Sequence, residues 1–144
     1  MYNKVYIEIT NICNMHCSFC HGHGRAPRRM GMEEFTHILD QLAGYTKYIY
    51  YHLMGEPLTH PQLPEFLRLA GERGFKSIIT TNGTLLSKKQ DLLLASPGLH
   101  KVNISLHAFE ANDLAVPFGK YLEDCFAYGR AAAGKKLTVY RLWN

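Results

Sequence analysis

Along this chain, apolar residues alternate with polar ones, then recur every three or four positions, then alternate again, and the cycle repeats to the end. Val5-Tyr6-Ile7-Glu8-Ile9 alternates and is rich in β-branched residues, which predicts a first strand. Met32, Phe35, Ile38, Leu39 and Leu42 then recur at helical spacing, and Gly44 closes that helix. Tyr48 to Leu53 reads as a second strand. Thr59-His60-Pro61 is expected to open a helix with Leu63, Phe66, Leu67 and Ala70 on one face, ending at Gly74. Lys76 to Thr80 is a third strand. Ser87-Lys88-Lys89-Gln90 fits a capping box, so a helix is expected from there to Ala95, with Ser96-Pro97-Gly98 stopping it. Val102 to Leu106 is a fourth strand, and His107 to Gly119 is expected to be loop with at most a short helical turn. A last helix should turn Leu122, Cys125, Phe126 and Ala132 inward before a fifth strand at Leu137–Leu142.

Strand and helix alternate throughout, which implies right-handed βαβ units and a parallel sheet, an α/β fold. Ligands in such sheets bind at the carboxyl ends of the strands, where the βα loops emerge. The first of those loops holds the most distinctive chemistry in the chain. Cys13, Cys17 and Cys20 follow the first strand in a CxxxCxxC spacing. Three thiolates on a [4Fe–4S] cluster leave one iron with an open position, whereas electron carriers normally close the cluster with four cysteines. The spacing alone also allows a zinc site completed by His16, His21 or His23.

Composition narrows the setting. The chain has 144 residues, enough for one domain over 1–144 with its own core, and 47% hydrophobic with 19% charged residues is ordinary globular material. No run resembles a signal peptide or a membrane span, so a cytoplasmic protein without a membrane partner is expected. Four cysteines in that compartment favour metal or redox chemistry over disulfides, with Cys125 read as a small buried hydrophobe. The net charge of +4 is mild and much of it lies in Arg25, Arg28 and Arg29. That run is either a solvated loop or a charge offset for a thiolate-bound cluster or an anionic substrate. Nucleic acid is not expected as a partner, because no basic stripe interleaved with aromatics is present.

CxxxCxxC with an aromatic, Phe19, just before its last cysteine resembles the signature of the radical S-adenosylmethionine (radical SAM) superfamily. Met54-Gly55-Glu56-Pro57, at the end of the second strand, is similar to that family's Gly-Gly-Glu-Pro motif, with Met54 in place of the first glycine. The resemblance implies a partial (β/α) barrel of six units, which this chain would leave cut short after its fifth strand. It implies a [4Fe–4S] cluster on Cys13, Cys17 and Cys20. It implies that Gly55, Glu56 and Pro57 receive the methionyl ammonium of S-adenosylmethionine and that Phe19 lies near its adenine.

Thr80-Thr81-Asn82-Gly83 follows the third strand. It reads either as a plain Asn-Gly turn or, through Thr81 and Asn82, as polar groups facing the cofactor. Ser105 resembles the family's ribose-contacting residue. The roles of His107, Arg141 and Asn144 stay open, and His52 is expected to be a core histidine. The activity implied is reductive cleavage of S-adenosylmethionine to a 5′-deoxyadenosyl radical, fed by an external flavodoxin- or ferredoxin-type reductant. The substrate, a small molecule or a peptide, is not written in the chain. Thr-Thr-Asn-Gly resembles the branch that contains molybdenum-cofactor cyclases and peptide-modifying enzymes with a cysteine-rich SPASM domain.

Overall fold

A computed structural model describes residues 4–13, 27–51, 55–106 and 117–141. Within them, β1 (Val5–Tyr6), β2 (Tyr48–Tyr51), β3 (Lys76–Thr81), β4 (Leu99–Ser105) and β5 (Leu137–Arg141) form one five-stranded sheet in the order β1-β2-β3-β4-β5. Every pairing is parallel. The helices α1 (Met32–Leu42), α2 (Leu63–Glu72), α3 (Leu86–Leu94) and α4 (Phe118–Ala132) occupy the crossovers. Strands that neighbour in sequence order, joined by crossovers of one hand, put all the helices on one side of the sheet.

The register makes that side explicit. Ile49, Tyr51, Ile79, Val102 and Ile104 point towards the helices and bury against Phe35, Leu39, Phe66, Leu67, Leu93 and Tyr128 in a single cluster. Side chains one residue away in each strand point to the other face. There Tyr6 pairs in register with Tyr50, and Tyr50 with Ile78. Farther across the same face, Ile78 pairs with Lys101 and Thr80 with Asn103. Tyr6, Leu137 and Val139 remain exposed there, at 44%, 55% and 39%. Among the described residues the helices lie on one face of the sheet, as in the wall of a partial (β/α) barrel.

Several element boundaries differ from the sequence expectation. α2 begins at Leu63, beyond Thr59-His60-Pro61, because Pro57–Thr59 forms a short 3-10 turn. His60 is instead buried, its Nε2 2.7 Å from the Met30 carbonyl and its Nδ1 accepting the Gln62 N–H. α3 begins at Leu86, so Ser87 lies inside its first turn and no side chain caps it; the capping box does not form. β4 starts three residues early, at Leu99, and Gly119 sits within α4. Tyr121 and Tyr128 are buried on α4, whereas Phe126 is 39% exposed and meets the ring of Tyr140 edge-on. The expectations that fall on Phe19, Cys17, Cys20, His52, Met54, His107 and Asn144 lie outside the described residues.

Candidate functional site

The carboxyl ends of β1, β2, β3 and β4 come together, and the segment after β1 sets the frame. Ile9 to Asn11 pairs antiparallel with Arg28 to Met30, through a bridge between Thr10 and Arg29 and a 2.7 Å bond from Met30 N–H to the Ile9 carbonyl. Asn11 and Arg28 close this neck from both sides. The Arg28 N–H donates to Asn11 Oδ1 at 2.7 Å, and the Asn11 N–H donates to the Arg28 carbonyl at 3.2 Å. Thr10 Oγ1 adds a donation to the same carbonyl and accepts the Ile12 N–H. The chain carrying all three cysteines therefore leaves and returns at one fixed point, with Cys13 exposed at its mouth. The Arg28 guanidinium is paired with Glu34 in the first turn of α1.

The turn after β2 is seated on that neck. The Glu56 N–H donates to the Ile12 carbonyl at 2.8 Å. Gly55 has a φ of +84°, and a Cβ there would stand 2.3 Å from the Thr10 carbonyl oxygen. Only glycine fits both the left-handed backbone and the close approach. Glu56 turns its carboxylate into the protein, where it is 1% exposed. Its Oε1 accepts the Asn82 N–H at 2.7 Å and the Thr81 hydroxyl at 2.9 Å, and its Oε2 accepts the Leu58 N–H at 3.0 Å. Burial pushes its pKa up to about 7, against the pull of those three donors. Glu56 thus joins the end of β2 to the end of β3.

Thr81 and Asn82 sit on the far side of this junction. The Thr81 side chain is 2% exposed, donating to Glu56 and accepting the Gly83 N–H, so it orders the turn from inside. Asn82 Oδ1 accepts both the N–H and the hydroxyl of Thr84, and Asn82 Nδ2 lies 3.9 Å from Cys13 Sγ. From α4, the Tyr121 hydroxyl donates to the Asn82 carbonyl at 2.6 Å, with the Ser105 carbonyl 3.3 Å away. Gly83, at φ +85°, is hemmed in by Cys125 Sγ and the Tyr121 hydroxyl. Ser105 is half-buried at the carboxyl end of β4, in register with Arg141. Cys125 is buried and its thiol is pushed up to about 11, which marks it as inert.

The structure thus brings Cys13, Gly55, Glu56, Pro57, Thr81, Asn82 and Ser105 to one end of the sheet. Sequence reasoning missed Thr10, Asn11, Thr84 and Tyr121. Asn11 and Thr84 carry a faint signal, as short polar residues flanking the cysteines and the Asn-Gly turn. Tyr121 carries none, because its partners lie in the turn after β3 and at the end of β4, both distant in sequence.

A family model described as the radical SAM superfamily matches residues 7–128. This chain belongs to the radical SAM superfamily. It is 33% identical over 141 residues to the tungsten-containing aldehyde ferredoxin oxidoreductase cofactor-modifying protein of Pyrococcus furiosus, an alignment covering 95% of this chain and 38% of that protein. It is 35% identical over 111 residues to the GTP 3′,8-cyclase of Chlorobaculum tepidum, covering 74% of this chain and 33% of the cyclase. Among solved structures, BtrN in complex with AdoMet and 2-DOIA superposes with a TM-score of 0.74 at 22% identity, over 98% of this chain and 57% of that one. That likeness establishes the radical SAM type of partial barrel. The chain spans well under half the length of the curated relatives it matches.

The residues present fit the cluster and cofactor of that family. Among the described residues no three His, Cys, Asp or Glu side chains converge; Cys17 and Cys20 lie outside the described residues. Cys13 is exposed and faced by the Asn82 amide nitrogen, an arrangement that a metal-bound thiolate accommodates. Also among the described residues, no helix is long and apolar enough to cross a membrane.

Proposed function

We propose that this chain is the part of a radical SAM enzyme that holds the cluster and S-adenosylmethionine. When bound, the two together supply one-electron reductive cleavage of the sulfonium, yielding a 5′-deoxyadenosyl radical for hydrogen abstraction. The protein's task is to hold and orient. Cys13, Cys17 and Cys20 provide three thiolates, and their segment is gripped at the Thr10–Arg29 neck. The backbone of Gly55, Glu56 and Pro57 offers carbonyl acceptors for the methionyl ammonium. Glu56 and Thr81 act from beneath by fixing that turn against β3. Asn82, Ser105 and Phe19 complete the cofactor's surroundings.

The observation that carries this reading is the pair of contacts joining separate motifs: Glu56 N–H to the Ile12 carbonyl, and Asn82 Nδ2 to Cys13 Sγ. A zinc module has no need for the turns after β2 and β3 to seat on the cysteine segment. The substrate is a small molecule or a peptide, and a flavodoxin- or ferredoxin-type protein in the cytoplasm supplies the electron. Anaerobic reconstitution followed by metal analysis tests the assignment. About four irons per chain are expected, lost in Cys13→Ala, Cys17→Ala or Cys20→Ala and kept in Cys125→Ala. Stoichiometric zinc in protein purified without oxygen would overturn it.

A further inference from the structure

We propose that Asn82 is a positioning residue for the Cys13 thiolate, donating an N–H···S hydrogen bond that sets the reduction potential of the cluster. The inference rests on the iron–sulfur reading and goes beyond it, since Asn82 then acts on the metal centre through Cys13. Asn82 Nδ2 lies 3.9 Å from Cys13 Sγ, within reach of a large sulfur acceptor. Which end of the amide faces the sulfur is decided by its neighbours. Asn82 Oδ1 accepts the Thr84 N–H at 3.0 Å and the Thr84 hydroxyl at 2.7 Å. Rotating the amide would set its NH2 against the Thr84 N–H and its oxygen against a thiolate, so the nitrogen is the atom turned to Cys13.

The backbone of Asn82 is held as firmly. Its N–H donates to Glu56 Oε1 at 2.7 Å, and its carbonyl accepts the Tyr121 hydroxyl at 2.6 Å. The residue is 9% exposed and fixed from the turn after β2 on one side and from α4 on the other. An amide aimed this way has one consequence for an iron–sulfur centre. Reduction adds negative charge that spreads onto the thiolate sulfurs, and a fixed N–H dipole stabilises that charge, raising the potential. The same residue links the turn proposed for the cofactor to a ligand of the cluster, so both are set by one rigid connection.

The test is a spectroelectrochemical titration of anaerobically reconstituted protein without S-adenosylmethionine. Wild type is compared with Asn82→Ala, Asn82→Asp and Thr84→Val, with iron content measured for each. Asn82→Ala should lower the potential. At the wild-type midpoint its reduced-to-oxidised ratio should fall about tenfold, which is about 59 mV for one electron. Asn82→Asp, which fills the same space but cannot donate, should fall at least as far. Thr84→Val keeps Asn82 but removes one of the bonds that orient it, and should shift the ratio less in the same direction. If Asn82→Ala loses its iron, the Thr84→Val titration decides. Variants that keep their iron and titrate with wild type overturn the proposal while leaving the iron–sulfur reading intact. So does weaker S-adenosylmethionine binding at an unchanged potential, which would leave Asn82 a cofactor contact only. A wild type that takes up no iron overturns both.

Discussion

Glu56 shows how one buried side chain can tie together turns from two strands. A carboxylate presented to a cavity would be solvated, but this one is enclosed and holds the ends of β2 and β3 together. Its pKa, raised by burial to about 7, carries a definite sign. An acid with a higher pKa folded than unfolded binds more protons in the folded state. Stability should therefore fall as pH rises from the ordinary carboxylate range to about 7, by at most about 3 kcal/mol. Glu56→Gln removes that titration, so its melting temperature relative to wild type should rise between pH 5 and pH 8. A constant difference across that range would contradict it. Gly55 gives a second prediction at this scale. Gly55→Ala must accept a left-handed backbone, about 1–2 kcal/mol, and also push a methyl into the backbone of Thr10 and Asn11. Because those atoms form the cysteine neck, iron uptake on reconstitution should drop along with stability. Full iron content in a stably folded Gly55→Ala would show that the contact does not matter.

The elements were readable from the sequence wherever one period ran without competition. The five strands fall where they are expected, with β1 confined to Val5–Tyr6 and β3 buried at consecutive positions, and the buried face of α2 at Leu63, Phe66, Leu67 and Ala70 follows from the period of three to four. The failures have local causes. Ser87 looked like a cap, but the turn before α3 was already organised around Asn82, which takes both polar groups of Thr84. Phe126 looked like core, yet Tyr121, Cys125 and Tyr128 occupy the inward stripe of α4. The neck around the cysteines was illegible for another reason, since Asn11 and Arg28 become partners only when the intervening chain closes on itself. It is testable as a unit. Asn11→Ala leaves the Arg28 N–H without its side-chain acceptor and should cost about 1–3 kcal/mol in denaturant unfolding, with reduced iron uptake. Unchanged stability and iron content would show that the antiparallel bridge alone holds the neck.

For the whole molecule, the sheet divides the work between its two faces and its two ends. The helical face supplies the core, and the other face carries Tyr6 and Tyr50, Lys101, and the buried Thr80 and Asn103 in register. The carboxyl end gathers the cysteine neck, the Gly-Glu-Pro turn and the Asn-Gly turn. A cavity of about 480 Å³ at the opposite end, lined by Arg68, Lys76, Gly98 and His100 among others, lies away from this chemistry. The sequence singled out Cys13 and the Gly-Glu-Pro and Asn-Gly turns by their spacing, and the structure gathers them at one end of the sheet. The manner of assembly was not legible, since it depends on Glu56 and Asn82 reaching across strands. The central claim is that this end of the sheet places S-adenosylmethionine against a three-thiolate cluster. The most direct measurement is the electron paramagnetic resonance spectrum of the reduced, reconstituted protein before and after adding S-adenosylmethionine. The account predicts a cluster signal whose g-values change on addition, in wild type and Cys125→Ala but not in Cys13→Ala. A cluster signal identical with and without S-adenosylmethionine would contradict it.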